Sequence, residues 1–183
     1  MANPLYIIDS REQRPYAFTG PSEVRVLETG DYSLANLESQ VAIERKSIDD
    51  LIACLTTERD RFERELQRGR SLDYFALVIE GSLMDLANGN YRSEMSPKAA
   101  LQSLFAFSIR FRLPIWFAEN RAHGQRVTES LLQKYAASVE WRWKQLQKGI
   151  ANDRREERKR LEQMDRGRPG GVDPGGDEEH GTI

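Results

Sequence analysis

The sequence predicts an α/β fold in which a mixed central sheet is flanked by helices. Short runs rich in β-branched residues end at turn formers, which is typical of strands. Two later runs, residues 74–79 and 115–118, are apolar on both faces, as central strands covered on two sides are. Segments with apolar residues at helical spacing lie between and after these strands.

Four short strands are expected in the first part of the chain. They occupy residues 5–8, 24–27, 32–34 and 41–43. The first is an apolar run that ends at Asp9, and the turn formers Gly30-Asp31 and Asn36 separate the others. We expect these strands to form a small antiparallel meander.

Helix start signals follow the fourth strand directly. Ser47 and Asp50 have the spacing of a capping box, and the apolar face that they open continues as far as Leu66. Ser96 precedes a proline in the first turn of a second predicted helix. Residues 127–146 have the spacing of a last long helix. The predicted order is a strand meander, then helix, strand, helix, strand and helix.

Composition changes sharply after about Gly149, where apolar periodicity stops. A charged run and then a Gly/Pro-rich segment follow. We therefore expect one domain over residues 1–148 and a charged, largely disordered tail over residues 149–183. Within the tail, residues 152–164 carry i,i+4 charge pairs that could extend a helix, whereas residues 165–183 cannot form a packed element.

The overall composition excludes several classes of protein. The 183 residues are 39% hydrophobic and include no run long enough to span a membrane, so we expect a protein of the cytoplasm or nucleoid with no membrane partner. One cysteine, Cys54, cannot form an intrachain disulfide, and with two histidines it cannot build a structural zinc site. A net charge of -2 argues against a histone-like electrostatic binder.

The chemistry is expected in the segment from Gly30 to Asp50. Side chains alternate faces along a strand, so Glu44 and Lys46 project to one side and Arg45 to the other. If the strands before and after residue 36 pair, Asp31 lies near Glu44. Two carboxylates suit Mg²⁺, which often takes one or two of them with water and a substrate phosphate. Lys46 can then orient or deprotonate the attacking water and offset transition-state charge.

Three residues at the end of the first strand could complete this site. Asp9 could add a third metal carboxylate, and Arg11 could bind phosphate with Glu12 beside it. Together with Asp31 and Glu44, these side chains form the predicted metal and phosphate site.

The D…E-x-K pattern of Asp31, Glu44 and Lys46 resembles that of the PD-(D/E)xK nuclease superfamily. The segment GD…ERKSIDDL resembles more closely the GD…ERKxxxD signature of XPF-type structure-specific endonucleases, and IIDSREQRP resembles their opening strand and loop. The resemblance covers about residues 5–116. It implies a restriction-endonuclease-like core, cleavage of DNA near duplex to single-strand junctions with Mg²⁺ or Mn²⁺, 5′-phosphate and 3′-hydroxyl products, and a homodimer formed through the nuclease domain.

Family members commonly append a tandem helix-hairpin-helix module, and no such pattern follows Gly149 here. The resemblance therefore implies a freestanding nuclease domain, which makes a recruiting protein plausible. It also implies that Asp50 ends the signature and that Arg61 occupies the place of a basic residue lining the cleft.

Alternative interpretations stay open for several residues. Asp50 is as readily a helix-start residue as a functional one, and Arg45 could anchor its strand by pairing with an acid such as Asp50. Arg61 is a DNA contact or part of an ion-paired exposed face. For the whole chain, the alternative to an enzyme is a non-catalytic DNA-binding or dimer-partner module of the same fold, although Asp31, Glu44 and Lys46 are all present.

Overall fold

A six-stranded mixed sheet forms the centre of the first of two units, Met1–Val139. The computed structural model describes residues 4–166. The strands are β1 (Tyr6–Asp9), β2 (Ser22–Arg25), β3 (Tyr32–Leu34), β4 (Val41–Ser47), β5 (Tyr74–Glu80) and β6 (Ile115–Phe117). Their order in the sheet is β2-β1-β3-β4-β5-β6. Helices flank the sheet, which confirms the predicted fold class.

The helices are α1 (Ile48–Leu55), α2 (Arg59–Gly69), α3 (Leu83–Asn88), α4 (Pro97–Phe111) and α5 (Arg121–Arg166). Two start signals predicted from sequence are confirmed. The Ser47 side chain accepts a hydrogen bond from the Asp50 backbone N–H, and Ser96 accepts one from the N–H of Ala99.

The predicted antiparallel meander is wrong in its second strand. β2 begins at Ser22 rather than residue 24 and pairs in parallel with β1, at the edge of the sheet. β1 pairs antiparallel with β3, and β3 with β4, so three of the four strands do form a meander. Val24 of strand β2 is exposed to solvent, as is Val26 just after the strand. The apolar residues of this segment therefore do not indicate a buried strand.

Two helix boundaries also differ from the prediction. The helix expected to run from residue 47 to Leu66 is broken at Thr56, whose ψ of -97° is not helical and whose hydroxyl donates to the Ile52 carbonyl. Helix α5 starts at Arg121 and continues through Gly149 to Arg166. It therefore includes residues 152–164, whose charge pairs could extend a helix, whereas residues 167–183 of the expected tail lie outside the described part.

The sheet buries apolar side chains on both faces. Helices α1, α2, α3 and α4 pack on one face around Leu51, Phe62 and Leu77. On the other face, Tyr32, Ile43 and Val78 pack with Leu132 of α5. Strand β5 is buried on both sides, as its apolar run predicted. Because β4 lies between β3 and β5, its alternating side chains reach both layers.

The second unit begins at Glu140, within α5. The large apolar side chains of its first turns, including Trp143, Leu146 and Ile150, are exposed. Among the described residues, no helix combines the length and apolarity needed to cross a lipid bilayer.

Candidate nuclease site

The turn that enters β3 places the first acidic side chain. Gly30 has a φ of 77°, and a Cβ there would lie 2.9 Å from that of Ala42, so only glycine suits the position. The Asp31 N–H donates to the Ile43 carbonyl at 2.9 Å, and Tyr32 pairs with Ile43. The predicted pairing of β3 with β4 is therefore confirmed, and it sets Asp31 opposite Glu44.

Alternation along β4 separates three consecutive charged side chains. Glu44 and Lys46 project toward α1 and α2, where the Lys46 ammonium forms an ion pair with Glu44 and lies 5.6 Å from the centre of the Phe62 ring. Arg45 projects to the opposite face of the sheet, beside Tyr16. The backbone N–H of Arg45 donates to Asp31 Oδ2 at 2.7 Å. Asp31, Glu44 and Lys46 therefore form one cluster.

Burial dominates the electrostatics of this cluster. Glu44 is only 2% exposed, and burial together with the nearby Asp31 charge raises its pKa well above the usual range. Burial also raises the pKa of Asp31, to about 6, although the Lys46 ammonium lowers it. For Lys46, burial opposes the charged form, but Glu44 and Asp31 outweigh it and raise the lysine pKa. The lysine is accordingly an ammonium at neutral pH.

A cleft of about 390 Å³ opens beside the cluster. Asp31, Lys46 and Asp50 line it, as do several side chains of the loop that follows β1. The arginines along its walls are Arg11, Arg14, Arg45 and Arg61. An anionic polymer would therefore meet guanidinium groups on the way to the two carboxylates.

The carboxylates fit a divalent cation held partly by substrate. Within residues 4–166, no group of three or more His, Cys, Asp or Glu side chains is arranged to hold a metal ion. However, Glu44 Oε2 is buried and receives no hydrogen bond from any residue that the structure describes. An acceptor that is buried and unpaired is costly unless a cation satisfies it. Asp31 and Glu44 offer the two hard oxygen donors that Mg²⁺ commonly takes from a protein.

Glu65 on α2 is a further acidic residue of this region that the sequence analysis missed. Its charge helps to raise the pKa of both Asp31 and Glu44, after the larger effect of burial. The backbone of Glu65 is near the same turn, since the Thr29 hydroxyl donates to its carbonyl at 3.5 Å. The sequence of α2 alternates acids and arginines, so nothing in it singled out this residue.

Asp9 was predicted as a third metal ligand. Its backbone N–H donates to the Asp31 carbonyl at 2.8 Å, but its carboxylate is engaged by other donors, so its role as a metal ligand stays a prediction. Its Oδ1 accepts bonds from the backbone N–H and Nε of Arg11, at 2.8 and 2.7 Å. Its Oδ2 accepts from Arg11 Nη2 and from the Leu27 N–H. With both oxygens engaged by four donors, Asp9 organises the loop after β1. This pairing also leaves less of the Arg11 guanidinium for phosphate than was predicted.

Arg45 anchors its strand by pairing with acids, as one interpretation of the sequence suggested, although these are Glu12 and Glu80 rather than Asp50. Its guanidinium bridges Glu12 and Glu80, with Nε 3.1 Å from Glu12 Oε2 and Nη1 3.0 Å from Glu80 Oε2. These three side chains are largely buried. Glu12 and Arg45 therefore support the loop and strand that carry the cleft.

The last two predicted residues lie at the rim of the cleft. Asp50 Oδ2 accepts a hydrogen bond from the Ser47 hydroxyl at 2.7 Å, so Asp50 serves the start of α1 while it lines the cleft. Arg61 is 70% exposed and pairs with Glu58. A surface pair of this kind is weak and can open to a phosphate. Both positions stay predictions as DNA contacts.

The sheet, its flanking helices and the D…E-x-K cluster define a domain of the restriction-endonuclease-like class. The chain belongs to the ERCC4 domain family, whose sequence model matches residues 8–131. This match confirms the resemblance read from the two motifs and places the chain in a family of DNA nucleases.

Two solved structures share the fold. XPF from Aeropyrum pernix has a TM-score of 0.58 and 18% identity over 72% of this chain and 61% of that chain. The same protein in complex with DNA gives a TM-score of 0.59 and 18% identity over 74% of this chain and 66% of that one. The chain thus spans less than two thirds of the length of these proteins. No curated protein matches it.

Proposed function

We propose that this chain is a DNA endonuclease that hydrolyses phosphodiester bonds with a divalent cation, Mg²⁺ or Mn²⁺, held by Asp31 and Glu44. The observation that carries the proposal is the buried Oε2 of Glu44, which has no hydrogen-bond partner among the described residues, beside Asp31, a carboxylate that lines a cleft walled by arginines. When bound, the cation would act as a Lewis acid toward the phosphoryl oxygen and lower the pKa of water.

Lys46 supplies positive charge in this scheme. Its ion pair with Glu44 keeps the proton on Nζ, so it donates hydrogen bonds and does not accept a proton from water. An ammonium at the edge of the cleft stabilises the charge that develops on the phosphoryl oxygens in the transition state. Of the two roles that the sequence left open for Lys46, the electrostatic one is therefore the better supported.

Arginines of the cleft bind the phosphates on either side of the scissile bond. Arg14 and Arg61 are exposed and line the cleft, and guanidinium groups suit phosphate oxygens in shape and charge. In-line attack forms a bond from a water oxygen to phosphorus and breaks the bond from phosphorus to O3′. A proton passes to O3′, which leaves a 5′-phosphate and a 3′-hydroxyl.

Branched or junction DNA is the proposed substrate. The motif that this chain shares with XPF-type endonucleases supports this, and the XPF from Aeropyrum pernix in complex with DNA supports DNA as the ligand. Such a substrate implies action in the cytoplasm or at the nucleoid. A recruiting protein could select the site of cleavage.

A homodimer is the proposed form of the protein. Three exposed apolar side chains of the first unit support it, namely Phe105 at 51% exposure, Ile109 at 81% and Trp116 at 44%. Apolar surface of this kind is commonly covered by a partner. Sedimentation that shows a monomer at micromolar concentration would contradict the dimer.

The activity is tested with purified wild type and its Asp31→Ala and Lys46→Ala variants on flap, fork, nicked and linear duplex DNA, with and without Mg²⁺. We expect metal-dependent cleavage of the branched substrates by the wild type and a loss of at least about a hundredfold in each variant. Arg110→Ala, which removes an exposed ion pair with Glu63 away from the cleft, is the matched control. Cleavage that survives in both site variants would remove the site assignment. Junction binding without cleavage under any metal would favour the non-catalytic module.

A further inference from the structure

A network of charged side chains lies on the face of the sheet opposite to Glu44 and Lys46. Arg45 joins Glu12 in the loop after β1 to Glu80 at the end of β5, and Arg121 in the first turn of α5 approaches the same Glu80 at 3.2 Å. Tyr16 lies among them, with the Arg121 guanidinium 4.9 Å from the centre of its ring and that of Arg45 6.0 Å away. The network connects four separate elements of the chain.

Arg121 contacts the loop that follows β1 on the side away from the cleft. Its Nη2 donates to the backbone carbonyls of Arg14 and Pro15, at 2.5 and 2.8 Å, while Nη1 donates to Glu80 Oε1. One planar guanidinium thus fixes two consecutive carbonyls of a segment that has no regular structure. Within this segment Pro15 has no N–H to donate to a backbone partner.

The segment that Arg121 holds forms one wall of the cleft. Arg11, Glu12, Gln13 and Arg14 all line the cleft, whereas Arg121 does not. Any shift of this wall would move the phosphate-binding guanidinium of Arg14 relative to Asp31. Misplacement by about 1 Å can cost a factor on the order of a hundred in an enzyme.

We propose that Arg121 is a positioning residue for DNA binding, which fixes the loop over residues 10–16 so that its Arg14 wall meets the substrate backbone. This rests on the function proposed above. Helix α5 contributes no side chain to the cleft, but through Arg121 it would determine the position of one wall of the DNA site.

Two amides of the loop report its order without any need for activity. The Arg14 N–H donates to Glu12 Oε1 at 2.7 Å, and the Tyr16 N–H donates to the Tyr32 hydroxyl at 3.2 Å. In Arg121→Ala, we expect hydrogen exchange at these two amides to speed up by at least about tenfold, while exchange in β4 and β5 stays unchanged. Arg126→Ala, an exposed arginine on the same helix, is the control and should exchange like the wild type.

The functional readouts are the binding of fluorescently labelled fork DNA in EDTA, and the kinetics of its cleavage with Mg²⁺. We expect Arg121→Ala to weaken binding and raise KM by about tenfold, with kcat changed by less than about threefold. The binding and KM of Arg121→Lys should lie between those of the wild type and Arg121→Ala, because a lysine can donate to one carbonyl but cannot span both carbonyls and Glu80. If Arg121→Ala does not fold, the same measurements on Arg121→Lys test the proposal.

The outcomes separate this inference from the proposed nuclease activity. If the wild type binds fork DNA but does not cleave it, the exchange and binding measurements still decide the role of Arg121. Unchanged exchange at the loop amides, or a fall in kcat with unchanged KM and binding, would overturn the positioning role. A loss of stability that leaves loop exchange and binding like those of the wild type would overturn it as well.

Discussion

The backbone N–H of Arg45 donates to Asp31 Oδ2 at 2.7 Å, which fixes the carboxylate of one strand to the backbone of the next. Glu44 and Lys46, the neighbours of Arg45 along the strand, are thereby held at a set position relative to Asp31. Burial raises the pKa of Asp31, and the Lys46 ammonium and then this hydrogen bond act against that increase by favouring the carboxylate that a cation needs. A local turn and a strand pairing therefore build the site together.

Substitution of Gly30 should disturb this arrangement. In Gly30→Ala, the new Cβ would lie 2.9 Å from the Ala42 Cβ and 3.2 Å from the Ile43 carbonyl oxygen, at a positive φ. We expect a loss of about 1–3 kcal/mol in the free energy of unfolding, measured by urea denaturation. The cleavage rate should also fall, and by more than the loss of folded protein explains, because Gly30 directly precedes Asp31 and positions its carboxylate. Gly149→Ala, where a Cβ meets nothing within 4 Å, is the control. Equal stability of the two variants would contradict the argument.

Asp9 offers a test of loop support against metal binding. Asp9→Asn removes a carboxylate that holds Arg11 and the Leu27 amide, and we expect it to cost about 2 kcal/mol of unfolding free energy near pH 7. Although burial alone would raise it, hydrogen bonds from Arg11 and Leu27 lower the Asp9 pKa, so the wild type's advantage should shrink as pH falls through that value.

The Mg²⁺ concentration for half-maximal cleavage separates the two roles of Asp9. We expect it to stay within about threefold of the wild type in Asp9→Asn, whereas Asp31→Asn should raise it by more than about tenfold. An equal increase in both variants would return Asp9 to the metal site.

Local patterns predicted the two strands that matter most for the site, and alternation predicted which of their side chains converge. Sequence could not show that Asp9 is saturated by Arg11 and Leu27, because the Leu27 amide is brought there by the parallel pairing of β2 with β1. Sequence analysis also could not predict the position of β2, because it depends on the same tertiary pairing. Contacts of Arg45 with Glu12 and Glu80 likewise depend on which elements share a face of the sheet, and no spacing along the chain records that.

The ion pair between Lys46 and Glu44 should show strong coupling in the absence of metal. Lys46→Met leaves the Glu44 carboxylate buried without its counter-charge, and we expect a loss of about 3 kcal/mol in unfolding free energy at pH 8 in EDTA. Adding Glu44→Gln to this variant should recover at least half of that loss. The measurement is a double-mutant cycle by urea denaturation, with a coupling energy of about 1–3 kcal/mol. Additive effects would contradict the pairing.

Metal binding should depend on pH through the same carboxylates. Burial, above all, raises the pKa of Asp31 to about 6 and that of Glu44 well above its usual range, and both must lose their protons to hold a cation. The Mg²⁺ concentration that half-saturates the protein should therefore rise as pH falls below about 6, by about tenfold per pH unit for each displaced proton. Calorimetric titration of Mg²⁺ between pH 5 and 8 would measure this.

Stability without metal should respond to pH in the opposite sense. Because the folded-state pKa of Asp31 lies above its ordinary value of 3.8, the folded protein binds this proton more tightly than the unfolded chain does. The metal-free protein should then gain stability as pH falls from about 6 toward 4, by on the order of 2 kcal/mol from this group. Asp31→Asn lacks the titrating proton, so the difference in unfolding free energy between variant and wild type should shrink over the same range. Parallel stability curves for the wild type and Asp31→Asn from pH 4 to 8 would show that Asp31 has the same pKa in the folded and unfolded states. That result would contradict the interpretation of Asp31 as a desolvated carboxylate in a cation site.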